Sequence, residues 1–257
     1  MRIAWAFKGE SVESHASLLG CYGDGEFDSP TRSTIPLLEF WRCPNERMRE
    51  LSDPLGMVAP RELRLDFEHT VHPPRGVGPP SQTDVMAICP DGAIAIEAKW
   101  TESRYEEVGS WLGTSKNRTE VLRGWRDLLE RHAGAGVREA DLRRIPYQMV
   151  HRAASACHVE KVARRWLVYL VFDLTVEKRS EYLEDLDRLR VALGPSCSLG
   201  IALVEGTIEE STLLAGLRAR WADGERGLHV PVLRGLRAGT FMTARLGRVH
   251  CVAAGIR

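Results

Sequence analysis

The spacing of apolar positions changes along this chain, most clearly between residues 61 and 100. From Arg61, Leu63, Leu65 and Phe67 alternate with Arg64, Asp66 and Glu68, the period of two expected of a strand with one buried face. A turn-rich stretch follows, with Pro73, Pro74, Gly76, Gly78, Pro79 and Pro80. Two apolar runs come next, Asp84 to Cys89 and Ala93 to Trp100, separated by Pro90-Asp91-Gly92. Asp-Gly between two β-like runs predicts a hairpin. Upstream, residues 1–30 read as a strand or arm followed by a Gly-rich loop. A helix is predicted from Ser33-Thr34, with Pro36 in its first turn and Leu37, Leu38, Phe40 and Trp41 as its apolar stripe, ending before Pro54.

Downstream, residues 118–132, 146–163, 178–193 and 209–222 carry helical spacing, while Trp166 to Asp173 and Ser198 to Glu205 are apolar enough for buried central strands. The tail from His229, with Arg234, Arg237, Arg245 and Arg248, reads as basic and strand-like. Helices mixed with strands in this order predict an α/β fold, a mixed central β-sheet flanked by helices. Residues 134–145, with Gly134 and Gly136, are the one linker-like stretch, and the chain is read as a single domain across it.

Composition narrows the class. At 44% hydrophobic residues the 257-residue chain has the apolar surface to fold, which excludes disorder as its main state. No apolar run approaches the roughly 20 residues of a membrane span, and the N-terminal apolar stretch is too short for a signal peptide, so a cytoplasmic protein is expected. Its 35 Lys+Arg balance 35 Asp+Glu, which speaks against tight non-specific nucleic-acid binding. The six cysteines form no CxxC pair and read as reduced, mostly buried thiols. His69 and His72, three apart on a strand, fall on opposite faces and make a poor metal pair.

The hairpin carries the chemistry. On its second strand Ile94, Ile96 and Ala98 share one face, and Ala93, Ala95, Glu97 and Lys99 share the other. A two-residue Asp91-Gly92 turn sets Asp84 opposite Lys99, with Glu97 diagonal to it; a four-residue loop sets Asp84 directly opposite Glu97. A three-residue loop breaks the alignment unless a bulge restores it. In the first two registers the three side chains share a face, on strands about 4.8 Å apart. Two carboxylates so placed can hold one hard divalent cation, and the Ala98 carbonyl is a natural extra ligand. A lysine beside them orients or helps deprotonate an attacking water and offsets charge in the transition state.

Thr83-Asp84, a spacer, then Glu97-Ala98-Lys99 resembles the core motif of the PD-(D/E)xK nuclease superfamily, in which Asp, Glu and Lys sit on such a hairpin after a helix and a first strand. Tyr147-Gln148-Met149-Val150-His151-Arg152 resembles the glutamine motif of its RecB-like members, with Arg152 where those members carry Tyr. The resemblance implies a restriction-endonuclease-like core over about residues 31–173, with arm 1–30 and C-terminal elaboration 174–257. It implies an Mg²⁺-dependent nuclease, with Mn²⁺ able to substitute. Asp84, Glu97, Lys99 and Gln148 would be catalytic; Asp84, Glu97, Ala98 and, from the preceding helix, Glu39 would bind the metal. Arg143, Arg144 and Arg152 are the candidates for nucleic-acid contact. The implied substrate is nucleic acid, DNA first, in restriction, phage defence or repair, and a homodimer suits the cutting of two strands.

Plainer readings stand beside these. Glu97 and Lys99 also suit an exposed edge strand, Asp84 a strand-start cap, Glu39 a solvated helix face. Glu68, on the adjacent strand, ranks behind Glu39 as a further ligand. The functional alternative is a catalytically silent nucleic-acid-binding or regulatory module on the same fold. Acidic ligands and a basic surround cancel in the charge sum, so neutrality does not exclude a nuclease.

Overall fold

A computed structural model describes residues 1–133 and 136–254; Gly134 of the linker-like stretch lies outside the described residues. The chain opens with strands β1 (Arg2–Phe7) and β2 (Glu10–Val12), then helices α1 (His15–Leu18), α2 (Asp24–Phe27), α3 (Thr34–Phe40) and α4 (Pro44–Ser52). Next come β3 (Glu62–Val71), β4 (Ser81–Cys89) and β5 (Gly92–Lys99), followed by α5 (Val108–Leu112), α6 (Lys116–Glu130), α7 (Glu139–Leu142) and α8 (Tyr147–His158). The C-terminal part holds β6 (Arg164–Phe172), α9 (Val176–Leu193), β7 (Leu199–Glu210), α10 (Thr212–Ala222), α11 (His229–Ala238) and β8 (Met242–Ala253).

Among the described residues the eight strands form one mixed sheet in the order β2-β1-β3-β4-β5-β6-β7-β8. The central β5, β6 and β7 run parallel, and antiparallel β4 and β8 flank them. One core lies on each face. Ile94, Ile96, Leu65 and Phe67 pack with α1–α4, α10 and α11; Ala93, Ala95, Leu167 and Tyr169 pack with α5–α9. Every residue of β5 is buried, and each of Ile94 and Ile96 contributes roughly 1.5–3 kcal/mol by leaving water. The α/β class expected of the sequence is therefore the observed one.

Several boundaries differ from the expectation. The N-terminal arm is part of the sheet, with β1 parallel to β3. The helix expected to run toward Pro54 is two helices, because Pro44 has no N–H to continue the first and instead starts the second. Residues 209 and 210 finish β7 rather than start a helix. The tail from His229 begins with a helix: Leu228, Val232 and Leu236 are buried at four-residue spacing, so Arg234 and Arg237 are helical, while Arg245 and Arg248 lie on the edge strand β8. Of the cysteines, all free, only Cys89 and Cys157 are buried, against the expectation of mostly buried thiols.

The hairpin register decides where the charges fall. Cys89 pairs with Gly92, Ile88 with Ala93 and Val85 with Ile96, so the turn is Pro90-Asp91 and Asp84 comes opposite Glu97. Gly92 is needed there: a Cβ would stand 2.8 Å from the Arg164 carbonyl of β6.

Candidate active site

The β4–β5 ladder ends at Val85–Ile96, and beyond it the backbone N–H of Ala98 donates to the Asp84 side chain at 2.7 Å. A strand residue directs its N–H and C=O toward the same neighbour, so the Ala98 carbonyl lies on the Asp84 side as well. Where β4 and β5 part, a cleft of about 440 Å³ opens, lined by Asp84, Glu97, Lys99, Gln148, Arg152 and Glu68. The four residues expected to be catalytic, Asp84, Glu97, Lys99 and Gln148, thus meet at one place.

Glu97 is the hub. It is 2% exposed, Lys99 Nζ and Gln148 Nε2 each donate to its Oε1 at 2.7 Å, and Arg152 Nε donates to its Oε2. Helix α8 supplies two of these donors because Gln148 and Arg152 are four residues apart, one above the other on one face. The small residues Ala153, Ala154 and Ala156 let that helix lie close over the sheet. Arg152 also donates to Ser81 Oγ at 2.9 Å. The backbone around the mouth is pinned by Glu102, whose carboxylate accepts from the N–H groups of Ser33 and Trp100.

The electrostatics follow from this crowding. Burial, then the charge of Glu97, holds the Asp84 carboxyl well above the usual carboxylate range, and Arg152 and Lys99 only partly offset this. Burial works against the Lys99 ammonium, but Glu97 and Asp84 outweigh it and raise its pKa, so Lys99 is charged at neutral pH. Arg152 is raised in the same way, with Glu97 and Asp84 prevailing over burial. Glu68 is pushed up to about 7 by burial and then by the charge of Glu26. Behind Glu97, Tyr169 is its neighbour in the β5–β6 register, and its buried hydroxyl has no hydrogen-bond partner among the described residues.

Two site expectations, Glu39 and Arg152, are corrected. Glu39 does not reach the cleft: α3 presents Ser33 and Thr34 there, while Glu39 binds Arg42 through both oxygens at 2.7 and 2.8 Å and lines a separate groove against β8. The carboxylate that takes its place is Glu68, ranked lower from sequence. Phe67 pairs with Val85 and His69 with Thr83, so Glu68 comes opposite Asp84, and its φ of 52° breaks the regular strand at that point. Arg152, expected to touch nucleic acid, is 7% exposed and bound to Glu97. Arg143 and Arg144 are exposed but do not line the cleft, and Arg143 pairs with Glu139 at 3.1 Å.

Arg152, Tyr169 and Ser81 in their present roles were missed. The signals available were a cation on the α8 face that carries Gln148 and a hydroxyl inside the otherwise apolar Trp-Leu-Val-Tyr-Leu-Val-Phe run.

Among the described residues no group of three or more His, Cys, Asp and Glu side chains is placed to hold a metal. A cation such as Mg²⁺, which keeps several waters, asks for less: one or two carboxylates and a substrate phosphate. Asp84, Glu97 and the Ala98 carbonyl are hard oxygen donors of that kind, and a cation between the carboxylates offsets both the burial and the Glu97 charge that raise Asp84. The donor set fits Mg²⁺ or Mn²⁺.

A family model described as a domain of unknown function, DUF6946, matches residues 11–220. No curated protein matches, and no solved structure matches. No helix among the described residues is long and apolar enough to cross a membrane.

Proposed function

The chain belongs to the DUF6946 family, and we propose that it hydrolyses phosphodiester bonds of nucleic acid with a divalent metal, most simply as a DNA endonuclease. One observation carries this reading: Asp84 and Glu97 face each other where the hairpin opens, with Lys99 beside them at one cleft. Bound there, Mg²⁺ or Mn²⁺ would lower the pKa of a coordinated water and neutralise charge on the scissile phosphate.

The chain's own residues do the rest. Asp84 and Glu97 supply the hard oxygens, and the Ala98 N–H fixes the Asp84 carboxylate in place. Gln148 and Arg152 hold Glu97 in one orientation. Lys99, kept as an ammonium, orients the attacking oxygen and offsets charge building on the phosphate, the kind of preorganised contribution worth about 10²–10³ in rate. The rims carry Arg32 and Arg104, cations suited to flanking phosphates.

A second reading, the catalytically silent module, is favoured by one feature: both Glu97 oxygens already have cationic or amide partners. The two readings separate in one assay. Purified protein is incubated with plasmid, linear duplex, single-stranded DNA and RNA in Mg²⁺ or Mn²⁺, beside Asp84→Asn and Lys99→Ala. Hydrolysis by the parent protein that drops about 10²-fold or more in both variants is expected. Equal cutting by the variants sinks the catalytic assignment, and nucleic-acid binding with no cutting leaves the silent module standing.

A further inference from the structure

A second cavity, of about 350 Å³, backs onto the cleft across the start of β4 and the first turns of α8. The helix serves both: Gln148 and Arg152 face the cleft, whereas Tyr147 and His151, each one residue earlier, line the second cavity. Its wall is aromatic and rigid. Trp111 stacks on Tyr147 with ring centroids 3.6 Å apart and planes 10° from parallel, and the Tyr147 hydroxyl accepts from the Trp125 indole at 3.0 Å. At the rim the exposed Arg118 guanidinium lies 5.6 Å from the Trp111 ring and donates to the Trp111 carbonyl.

His151 gives the cavity a direction. Its Nδ1 lies 2.8 Å from Ser81 Oγ and 3.3 Å from Arg152 Nη1. A guanidinium only donates, so Nδ1 is the accepting nitrogen and the ring proton sits on Nε2. Burial, then the charges of Arg152 and Lys99, hold the ring well below its usual pKa and keep it neutral. The Nε2–H is thus a donor with no hydrogen-bond partner among the described residues, on a ring that lines the cavity. An aromatic wall, one unmet donor and a cation at the rim ask for a flat ring with acceptor edges that carries an anion.

We infer that this cavity binds a nucleobase with its phosphate, the base against the Trp111–Tyr147 wall, an acceptor edge on His151 Nε2–H and the phosphate toward Arg118. The volume falls within the range of small-ligand pockets, and stacking on an aromatic face accepts any base. The inference rests on the nucleic-acid reading of the adjoining cleft for its biological sense, and on its own geometry for the binding. A free nucleotide and a strand whose backbone runs into the cleft present the same chemistry to this cavity, and the test separates them.

The test titrates the full chain, without metal, with AMP, GMP, CMP, UMP and a single-stranded DNA oligonucleotide, following tryptophan fluorescence and heat. Inorganic phosphate and indole are the controls. Saturable binding of a mononucleotide or of the oligonucleotide is expected, weakened roughly tenfold by Trp111→Ala and by Arg118→Ala, with His151→Phe altering the preference among bases. Mononucleotide binding assigns the free ligand; oligonucleotide binding alone, with the same sensitivity, assigns a base of the strand. The inference is overturned by absence of saturable binding, by binding that ignores Arg118→Ala at the exposed rim, or by equal binding of phosphate or indole. Nucleotide binding that persists in Lys99→Ala, with no hydrolysis by any form, sinks the nuclease reading and keeps this one. Hydrolysis without Arg118-dependent binding does the reverse.

Discussion

Glu39 and Glu97 are both buried glutamates bound by arginine, at 7% and 2% exposure, yet only Glu97 stands in the cleft with Asp84 and Lys99. Glu39 meets a single cation, Arg42, three residues along its own helix. The pair is local and neutral, and among the described residues no other charged side chain bonds to Glu39. Glu97 meets two cations and an amide brought from two elements, and a second carboxylate stands close enough to raise that second group's pKa. Local pairing of this kind serves the helix; a crowd of opposed charges held under burial is what a functional site looks like.

The largest effect that separates the two is on stability. Arg152→Met leaves Glu97 buried with only part of its compensation, and about 3–5 kcal/mol of unfolding free energy should be lost at neutral pH. Arg42→Met removes a partly exposed partner whose place water can take, at a cost of about 1–2 kcal/mol. Urea unfolding of the two variants measures the difference. Equal losses would mean that the Glu97 network is another structural ion pair.

Next comes activity. Under the proposed function, Asp84→Asn and Glu97→Gln each lose a factor of about 10²–10³ in hydrolysis, while Glu39→Gln stays within about threefold of the parent protein, as a change away from the cleft should. Initial rates in Mn²⁺ report both. A collapse of activity in Glu39→Gln, with its stability intact, would return that residue to the site.

Glu68, in the cleft, provides a pH signature of its own. Its folded pKa is raised from the model-peptide value of 4.5 to about 7. The folded protein therefore holds that proton more tightly than the unfolded chain. The resulting stability is fully present below pH 4.5 and is lost as pH rises through about 7. Two and a half pH units correspond to on the order of 3 kcal/mol. Glu68→Gln, which cannot ionise, should gain stability relative to the parent by that order between pH 4.5 and pH 8 in the absence of metal. Parallel pH profiles of unfolding free energy for the two proteins would show that Glu68 is not strained by its neighbours.

Much of this arrangement is legible in the sequence. The hairpin, the two faces of β5 and the convergence of Asp84, Glu97 and Lys99 follow from a period of two and an Asp-Gly signal. The turn itself fell one residue earlier, at Pro90-Asp91, because tight packing against β6 claims Gly92 for the strand. What could not be read were pairings across long connections. The register of β3 on β4, which brings Glu68 opposite Asp84, spans the turn-rich stretch 72–80 and is set by packing rather than by local pattern. From sequence Arg152 is a candidate for nucleic-acid contact, because a single sequence shows which face of α8 it shares with Gln148 but not that Glu97 waits beneath that face. The helix at His229–Ala238 was hidden by its arginines, although Leu228, Val232 and Leu236 carried the four-residue spacing.

The smallest predicted effect concerns the arginines that remained outside. Arg152 is sealed against Glu97, whereas Arg143 and Arg144 are exposed just before α8, so under the proposed function these two, Arg143 by giving up its exposed bond to Glu139, remain candidates of the three for phosphate contact outside the cleft. Replacing both by Ala should leave the melting temperature unchanged, since an exposed pair such as Arg143–Glu139 contributes little. Affinity for nucleic acid should fall severalfold, and the slope of log affinity against log salt should shrink by about 1.8 for duplex DNA, since each phosphate contact releases close to one counterion. The slope is the decisive quantity, because a loss of affinity with an unchanged slope would come from altered shape rather than lost phosphate contacts. An unchanged slope would assign both arginines to a solvated helix face and leave Arg32 and Arg104, on the cleft's own rim, as the cations that engage the backbone.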